Sequence, residues 1–254
     1  MKLTILGSGT TDPTNRRNES GYLLEIGKDL ILIDAGSGTK EHIADSRHDD
    51  LRISHILISH THVDHVADLP ALFWSWWVRQ RTEIVTILGP KKITGFVKKL
   101  SEAFFPKFKD YFTYNIKAKA MHNSVYRTKN WQVKSVFTSK QGHTYTPYAL
   151  AYRIERHNKS FVYSGDINYD YPESIVKISK DADALVIDCG NPDSQKHKGH
   201  LTPNKIAEIA SKAKVKKLVL THFYRPIGEY SFKEAKTIFK GPIVLAKDLM
   251  KINV

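Results

Sequence analysis

Short apolar runs punctuated by Gly, Pro and Asp recur along the chain and alternate with stretches at helical spacing. Residues 3–6, 21–26, 30–33, 53–58, 84–88, 131–137, 148–154, 160–163, 184–188, 217–220 and 242–246 read as strands. The second and third pair as a hairpin around Gly27-Lys28-Asp29. Helices are expected over 69–78, over 231–239, and along Ile93, Phe96, Val97, Leu100 and Phe104, which form one stripe with Lys98 and Lys99 off it. A further helix starts at Pro203 with Thr202 as its N-cap and buries Ile206, Ile209, Ala210 and Ala213. The stretch 36–50 is polar; its His42 and His48 are expected to be exposed and to carry no chemistry.

With 254 residues and 41% hydrophobic content, the chain can bury a full core, and nothing divides it; one domain, 1–254, is expected. No window approaches a membrane span, so no membrane partner is expected. The single cysteine, Cys189, lies in the apolar run 184–189 and reads as a buried side chain. One cysteine allows no intrachain disulfide, which suits a reducing cytoplasm.

The stretch with the densest chemistry is Ser59-His60-Thr61-His62-Val63-Asp64-His65, between the strand 53–58 and the helix 69–78. Three imidazoles and a carboxylate are the donors a borderline-soft divalent ion such as zinc takes. Alternate residues of an extended segment point the same way, so His60 and His62 can chelate one ion while Asp64 and His65 turn to a second. Two metals are implied.

This His-x-His-x-Asp-His string resembles the signature of the metallo-β-lactamase superfamily. Pro13-Thr14-Asn15-Arg16-Arg17-Asn18-Glu19-Ser20 looks like a Pro-x-x-x-Arg-Asn-x-Ser segment of its tRNase Z-like branch. Further segments match in order: Asp34-Ala35-Gly36, His143 before Pro147, Ser164-Gly165-Asp166, Gly199-His200-Leu201-Thr202 and Thr221-His222-Phe223. The resemblance implies an α/β fold, the four-layer αββα sandwich, with the site along one edge. It also implies His60, His62 and His143 on one zinc, Asp64, His65 and His222 on the other, and Asp166 on both. Asp34 would receive the spare N–H of a ligand histidine, and Asp188 would orient His200. Two ions roughly 3.5 to 4 Å apart lower the pKa of a shared water towards ~7 and clamp a phosphodiester. Asp64 would orient that bridging hydroxide, and His200 would stabilise the phosphate or protonate the departing alkoxide. His197 remains unassigned.

The net charge of +13 is uneven: from Arg79 to Lys140 there are fourteen Lys or Arg against three acids. Phe96, Phe104, Phe105, Phe108, Tyr111, Phe112, Tyr114, Tyr126 and Trp131 interleave them. That is either a surface for phosphates and bases or a lysine coat over a Phe-rich core. Phe73, Trp74, Trp76 and Trp77 surround one helix, so some are core and at least one faces another surface, a substrate or a homodimer contact. The expected activity is that of a binuclear zinc phosphodiesterase or ribonuclease acting on RNA, other divalent transition metals serving as well. Only 22 residues separate His143 from Asp166, too few for the long tRNA-gripping arm of tRNase Z. A compact relative acting on a small ester, such as a cyclic nucleotide, a lactone or a thioester, is the alternative.

Overall fold

Alternate residues of the run 30–33 enter two different cores. Leu30 and Leu32 pack beneath helices on one side of a sheet, while Ile31 and Ile33 join a second cluster that extends into the opposite sheet. Successive Cβ atoms of a strand point to opposite faces. A strand covered on both faces therefore reads as uninterrupted apolar sequence.

The computed structural model describes residues 1–12, 17–105, 107, 113–139, 148–169, 172–194, 199–224, 233 and 235–254. One sheet contains β1 (Lys2–Gly7), β2 (Gly21–Ile26), β3 (Asp29–Ala35), β4 (Ile53–Leu57), β5 (Val85–Gly89), β6 (Ile116–Ala120) and, from the last residues, β14 (Lys251–Asn253). The other contains β7 (Val125–Arg127), β8 (Gln132–Phe137), β9 (Leu150–Arg156), β10 (Lys159–Tyr163), β11 (Ala184–Asp188), β12 (Leu218–Thr221) and β13 (Ile243–Leu245). Their orders are β14-β1-β2-β3-β4-β5-β6 and β13-β12-β11-β10-β9-β8-β7. In each sheet one half is parallel, β3 to β6 and β10 to β13, and the remaining pairs are antiparallel.

The helices are α1 (Thr39–Asp45), α2 (Val63–Val66), α3 (Leu69–Val78), α4 (Ile93–Phe104), α5 (Pro172–Ile178) and α6 (Pro203–Lys212). Helices α3 and α4 cover the first sheet through Leu69, Leu72, Phe73, Trp76, Ile93 and Val97. Helices α5 and α6 cover the second through Ile175, Ile178, Ile206 and Ile209. The layers are helix, sheet, sheet, helix, the expected αββα order. Full burial of each such side chain contributes about 1.5–3 kcal/mol before the cost of ordering it.

The structure also departs from expectation. Helices α1 and α5 and strands β6, β7 and β14 carry weak patterns: β7 and β14 are three residues long, and β6 is an edge strand bearing exposed Lys117 and Lys119. The histidines of the 36–50 stretch are not exposed, because α1 packs against β1 and β2. The His42 side chain is 19% exposed, with Nδ1 2.5 Å from the Leu6 carbonyl, and that of His48 is 10% exposed, with Nε2 3.2 Å from Glu25. The helix expected over 231–239 falls partly outside the described residues. Cys189 is buried as expected. Among the described residues no helix is long and apolar enough to cross a membrane.

Candidate metal centre

The parallel halves of both sheets end at one edge, where ligand sites of such sheets gather. Asp34 lies at the end of β3 and His60 to His65 follow β4, while Asp166, Asp188 and His222 lie at or just beyond the ends of β10, β11 and β12. Three buried tyrosines and a threonine tie the sheets together there. Tyr152 donates to the Ile58 carbonyl at 2.7 Å, Tyr163 to Asp34 at 2.6 Å, and Tyr22 and Thr221 share a hydrogen bond of 2.8 Å.

Local backbone geometry serves the same end. Gly165, with φ +57°, makes the Ser-Gly-Asp turn, and a Cβ there would come within 2.7 Å of Ser59 Cβ. Asp34 and His222 carry φ of 52° and 60° without being glycine. Such residues cost about 1–3 kcal/mol each and persist where the surroundings over-determine them.

The side chains converge. Asp166 lies 3.5 Å from His60 Nε2, 3.3 Å from His65 Nε2 and 3.4 Å from His222 Nε2. Asp64 lies 3.6 Å from His65 Nε2 and 3.9 Å from His222 Nε2. Each imidazole is gripped from behind at Nδ1: His65 by Asp34 at 2.8 Å, His60 by Ser59 Oγ at 3.1 Å, His222 by Ser20 Oγ at 2.9 Å. With Nδ1 donating, each Nε2 presents a lone pair to the centre. Among the described residues, Nε2 of all three and Oδ1 of Asp166 are buried without a hydrogen-bond partner. Buried lone pairs facing a buried carboxylate are costly unless a cation lies between them. These donors therefore fit divalent metal. Three groups of their ligand atoms lie within 4.8 Å of one another: His60, His65 and Asp166; Asp64, His65 and His222; Asp166, His200 and His222.

Titration follows the same demand for positive charge. Burial and then His65 hold the His60 pKa well below its ordinary value. His65 is driven well above its own: burial opposes, but Asp166 and Asp34 outweigh it. Asp166 lies well below the usual carboxylate range, since His222, His65 and His60 outweigh its burial.

His200 belongs to the third group of ligand atoms, yet unlike His60, His65 and His222 its Nε2 has a partner. Its Nδ1 is 2.9 Å from Asp188 Oδ2, and its Nε2 is 3.4 Å from the Tyr224 hydroxyl. Burial lowers its pKa, but Asp188, with Asp166 and Asp64, outweighs burial and lifts it to about 9. The neighbouring Gly190 admits the ring, since a Cβ there would sit 2.8 Å from His200 Cγ.

Of the residues expected at the site, the structure gathers His60, Asp64, His65, Asp166, Asp188, His200 and His222, with Asp34 behind His65. His62 is exposed, its ring centroid 4.5 Å from that of His60, and it is not in the three tight groups. His143 and His197 lie outside the described residues, as do Pro13 to Arg16 of the Arg-Asn segment. Ser20, Ser59, Tyr163 and Tyr224 were not foreseen. Only Ser20 had a signal, the Arg-Asn-x-Ser segment.

Fold and site together define a metal-dependent hydrolase, and residues 30–223 match the beta-lactamase superfamily domain; the chain belongs to that family. A protein named Ribonuclease Z from Haloarcula marismortui is 27% identical over 305 alignment positions, spanning 100% of this chain and 97% of its own. Probable metallo-hydrolase YhfI from Bacillus subtilis is 28% identical over 253 positions, 97% of each chain. The YhfI crystal structure superposes with TM-score 0.81 at 25% identity, covering 99% of this chain and 98% of that one. The short form of human tRNase Z gives 0.79 at 22% identity, covering 100% and 99%. Within the family, this chain is a ribonuclease Z-like hydrolase.

Proposed function

We propose that the protein is a binuclear zinc phosphodiesterase that cleaves RNA. The observation that carries this is the His200–Asp188 pair at 2.9 Å beside the gathered ligands. A carboxylic ester or lactone has no evident need for a second, non-ligand imidazole held as a cation. His60, His62 and His143 would hold one ion, Asp64, His65 and His222 the other, and Asp166 both. When bound, the ions acidify a water and offset the charge of the phosphate.

The protein's own groups do the rest. Asp64 accepts a hydrogen bond from the attacking water and aims it. Asp34 fixes the ring of His65 through Nδ1. His200, protonated and steadied by Asp188, donates from Nε2 to the departing ribose oxygen. Residues 1–254 form one domain in this reading, and its lone buried cysteine suits the cytoplasm.

Size favours a compact relative over a full tRNA-processing enzyme. The alignment to the Haloarcula protein needs 305 positions for a chain of 254 residues, whereas that to YhfI needs 253. The insertions of the former are missing here, so a small phosphodiester such as a cyclic nucleotide is the second reading. The exposed outer face of α3 and the end of α4, with Trp74, Val78 and Phe104, is where a second copy would pack. The molar mass in solution checks it.

The test is turnover of the zinc-loaded enzyme on RNA, a nitrophenyl phosphodiester, a phosphomonoester, a lactone and a thioester, with His200→Ala beside the wild type. Diesters should be preferred. His200→Ala should lose roughly 10² to 10⁴ on RNA, the usual worth of general acid catalysis, and much less on the nitrophenyl ester, whose leaving group needs no proton. Lactone or thioester turnover exceeding that of every diester would overturn the proposal.

A further inference from the structure

Tyr224 faces the centre from the end of β12, two residues after His222, and no role has been given to it. Its ring stands at 88° to that of His222, with centroids 6.0 Å apart, and 5.3 Å from that of His200. The backbone that presents it is held at the preceding residue. Phe223, 2% exposed, donates its N–H to the Ser8 carbonyl at 3.0 Å and pairs with Gly9, and its ring lies 4.6 Å beneath the Arg17 guanidinium. Tyr224 is only partly buried, so its hydroxyl is in reach of a bound molecule.

The hydrogen bonding around it is incomplete in one direction. Nδ1 of His200 is taken by Asp188, so Nε2 is the nitrogen this imidazole offers to the site. That nitrogen is 3.4 Å from the Tyr224 hydroxyl, beyond the usual 2.7–3.2 Å for a bond of this kind. A contact so long is given up or redirected at little cost. When His200 is protonated, its Nε2–H points at the phenol oxygen, and the phenol O–H must then donate elsewhere. Among the described residues it has no second recorded hydrogen-bond partner. A phenol is neutral at physiological pH, so its hydroxyl keeps a proton to donate.

We infer that Tyr224 is a catalytic residue, its hydroxyl donating a hydrogen bond to a non-bridging oxygen of the phosphate whose ester bond is cleaved. The inference rests on the phosphodiesterase reading above. Asp188 accepts from His200 Nδ1 and orients the ring; with substrate bound, Nε2–H turns to the leaving oxygen and the Tyr224 hydroxyl beside it is left to donate to the phosphate. Charge grows on the non-bridging oxygens during displacement, and a donor already placed there stabilises it without reorganising. A carboxylic ester presents one carbonyl oxygen and needs fewer such donors, so Tyr224 contributes to the preference for phosphorus.

Tyr224→Phe keeps the ring and its packing and removes the hydroxyl alone. In the zinc-loaded enzyme, kcat on a phosphodiester should fall about 10- to 100-fold with little change in KM, at the lower end of what the loss of one oxyanion donor costs. The affinity for inorganic phosphate, measured by calorimetry, should weaken in parallel, while metal content and melting temperature stay at wild-type values. Unchanged kcat and unchanged phosphate affinity would overturn the inference. So would loss of metal, which would make Tyr224 a support for His222. If the wild type hydrolyses no diester, the functional proposal fails by itself, and phosphate affinity still decides the role of Tyr224.

Discussion

His65 is the residue whose position depends on the most partners, and they explain which parts of the site were readable. Its own place, like those of His60, Asp64, Asp166 and His222, follows from lying just past a strand, a local signal. The groups that aim the rings are remote: Ser20 reaches His222 across 202 residues, and Tyr163 reaches Asp34 across 129. No periodicity marks a serine or tyrosine for such work, so they were illegible. Asp34 was legible through resemblance alone, and it accepts from Ser59 N, Ser59 Oγ, His65 and Tyr163 at 2.6–2.8 Å. Asp34→Asn turns one acceptor oxygen into a donor facing donors. Zinc affinity, read by chelator competition, should fall about 10- to 100-fold, as for other groups that orient ligands. His200 gives the pH prediction. In the role proposed for it, its acid form is the active one, so activity should be lost as pH rises through its pKa. Without metal, Asp188 lifts it to about 9, and two cations nearby would push it down, so kcat/KM should show an alkaline limb below that value. His200→Ala should abolish the limb; a limb that survives the substitution would belong to another group.

Helices α3 and α4 show what periodicity resolves and what it leaves open. In α4 the apolar stripe is plain: Ile93 and Val97 are buried and Phe96 and Leu100 pack partly buried against the core, but Phe104, at the end of the helix, is 59% exposed rather than inward. In α3 nearly every position is apolar, so spacing cannot say which face turns inward. The structure buries Phe73 and Trp76 and leaves Trp74 50% exposed, stacked on Phe105 with centroids 5.6 Å apart. The basic quarter divides likewise. Phe105, Tyr114 and Trp131 are core, whereas Lys91, Lys92, Lys98, Lys99, Lys107, Lys117 and Lys119 are exposed; Phe108, Tyr111 and Phe112 lie outside the described residues. The lysine coat is therefore real, and its use is a question of binding. Lys98 meets Glu102 at 3.7 Å with both side chains well exposed, a pairing worth little. If RNA lies along α4, the logarithm of its affinity should fall with the logarithm of salt, and reversing Lys98 and Lys99 to Glu should flatten that slope. An unaltered slope would place the RNA elsewhere, and hydrolysis of a small diester should not change in either case.

For the whole molecule, the decisive fact is that the site draws on both sheets. His60, Asp64 and His65 follow β4 of the first, while Asp166, His200 and His222 belong to the second. Metal bound there joins the two layers, so it stabilises the native state over any state in which they part. An ion at 1,000 times its dissociation constant adds about 4 kcal/mol, which for a chain of this size raises Tm by roughly 8–16 °C. Scanning calorimetry after chelation should show that loss, restored by zinc; an unmoved Tm would exclude tight binding. The layer order was legible through the resemblance, which the alternation of strands and helices in two halves suits. What stayed hidden were the sheet margins, where short strands gain their pairing from neighbours rather than from their own residues. One margin sets a timetable. Strand β14 flanks β1 with the register Lys2↔Asn253, Leu3↔Ile252 and Thr4↔Lys251, so β1 leaves the ribosome well before the three-residue strand that pairs its outer edge. Until then a bare strand edge is open to other chains, and the newborn protein is most prone to aggregate in the interval between the emergence of residue 7 and that of residue 251.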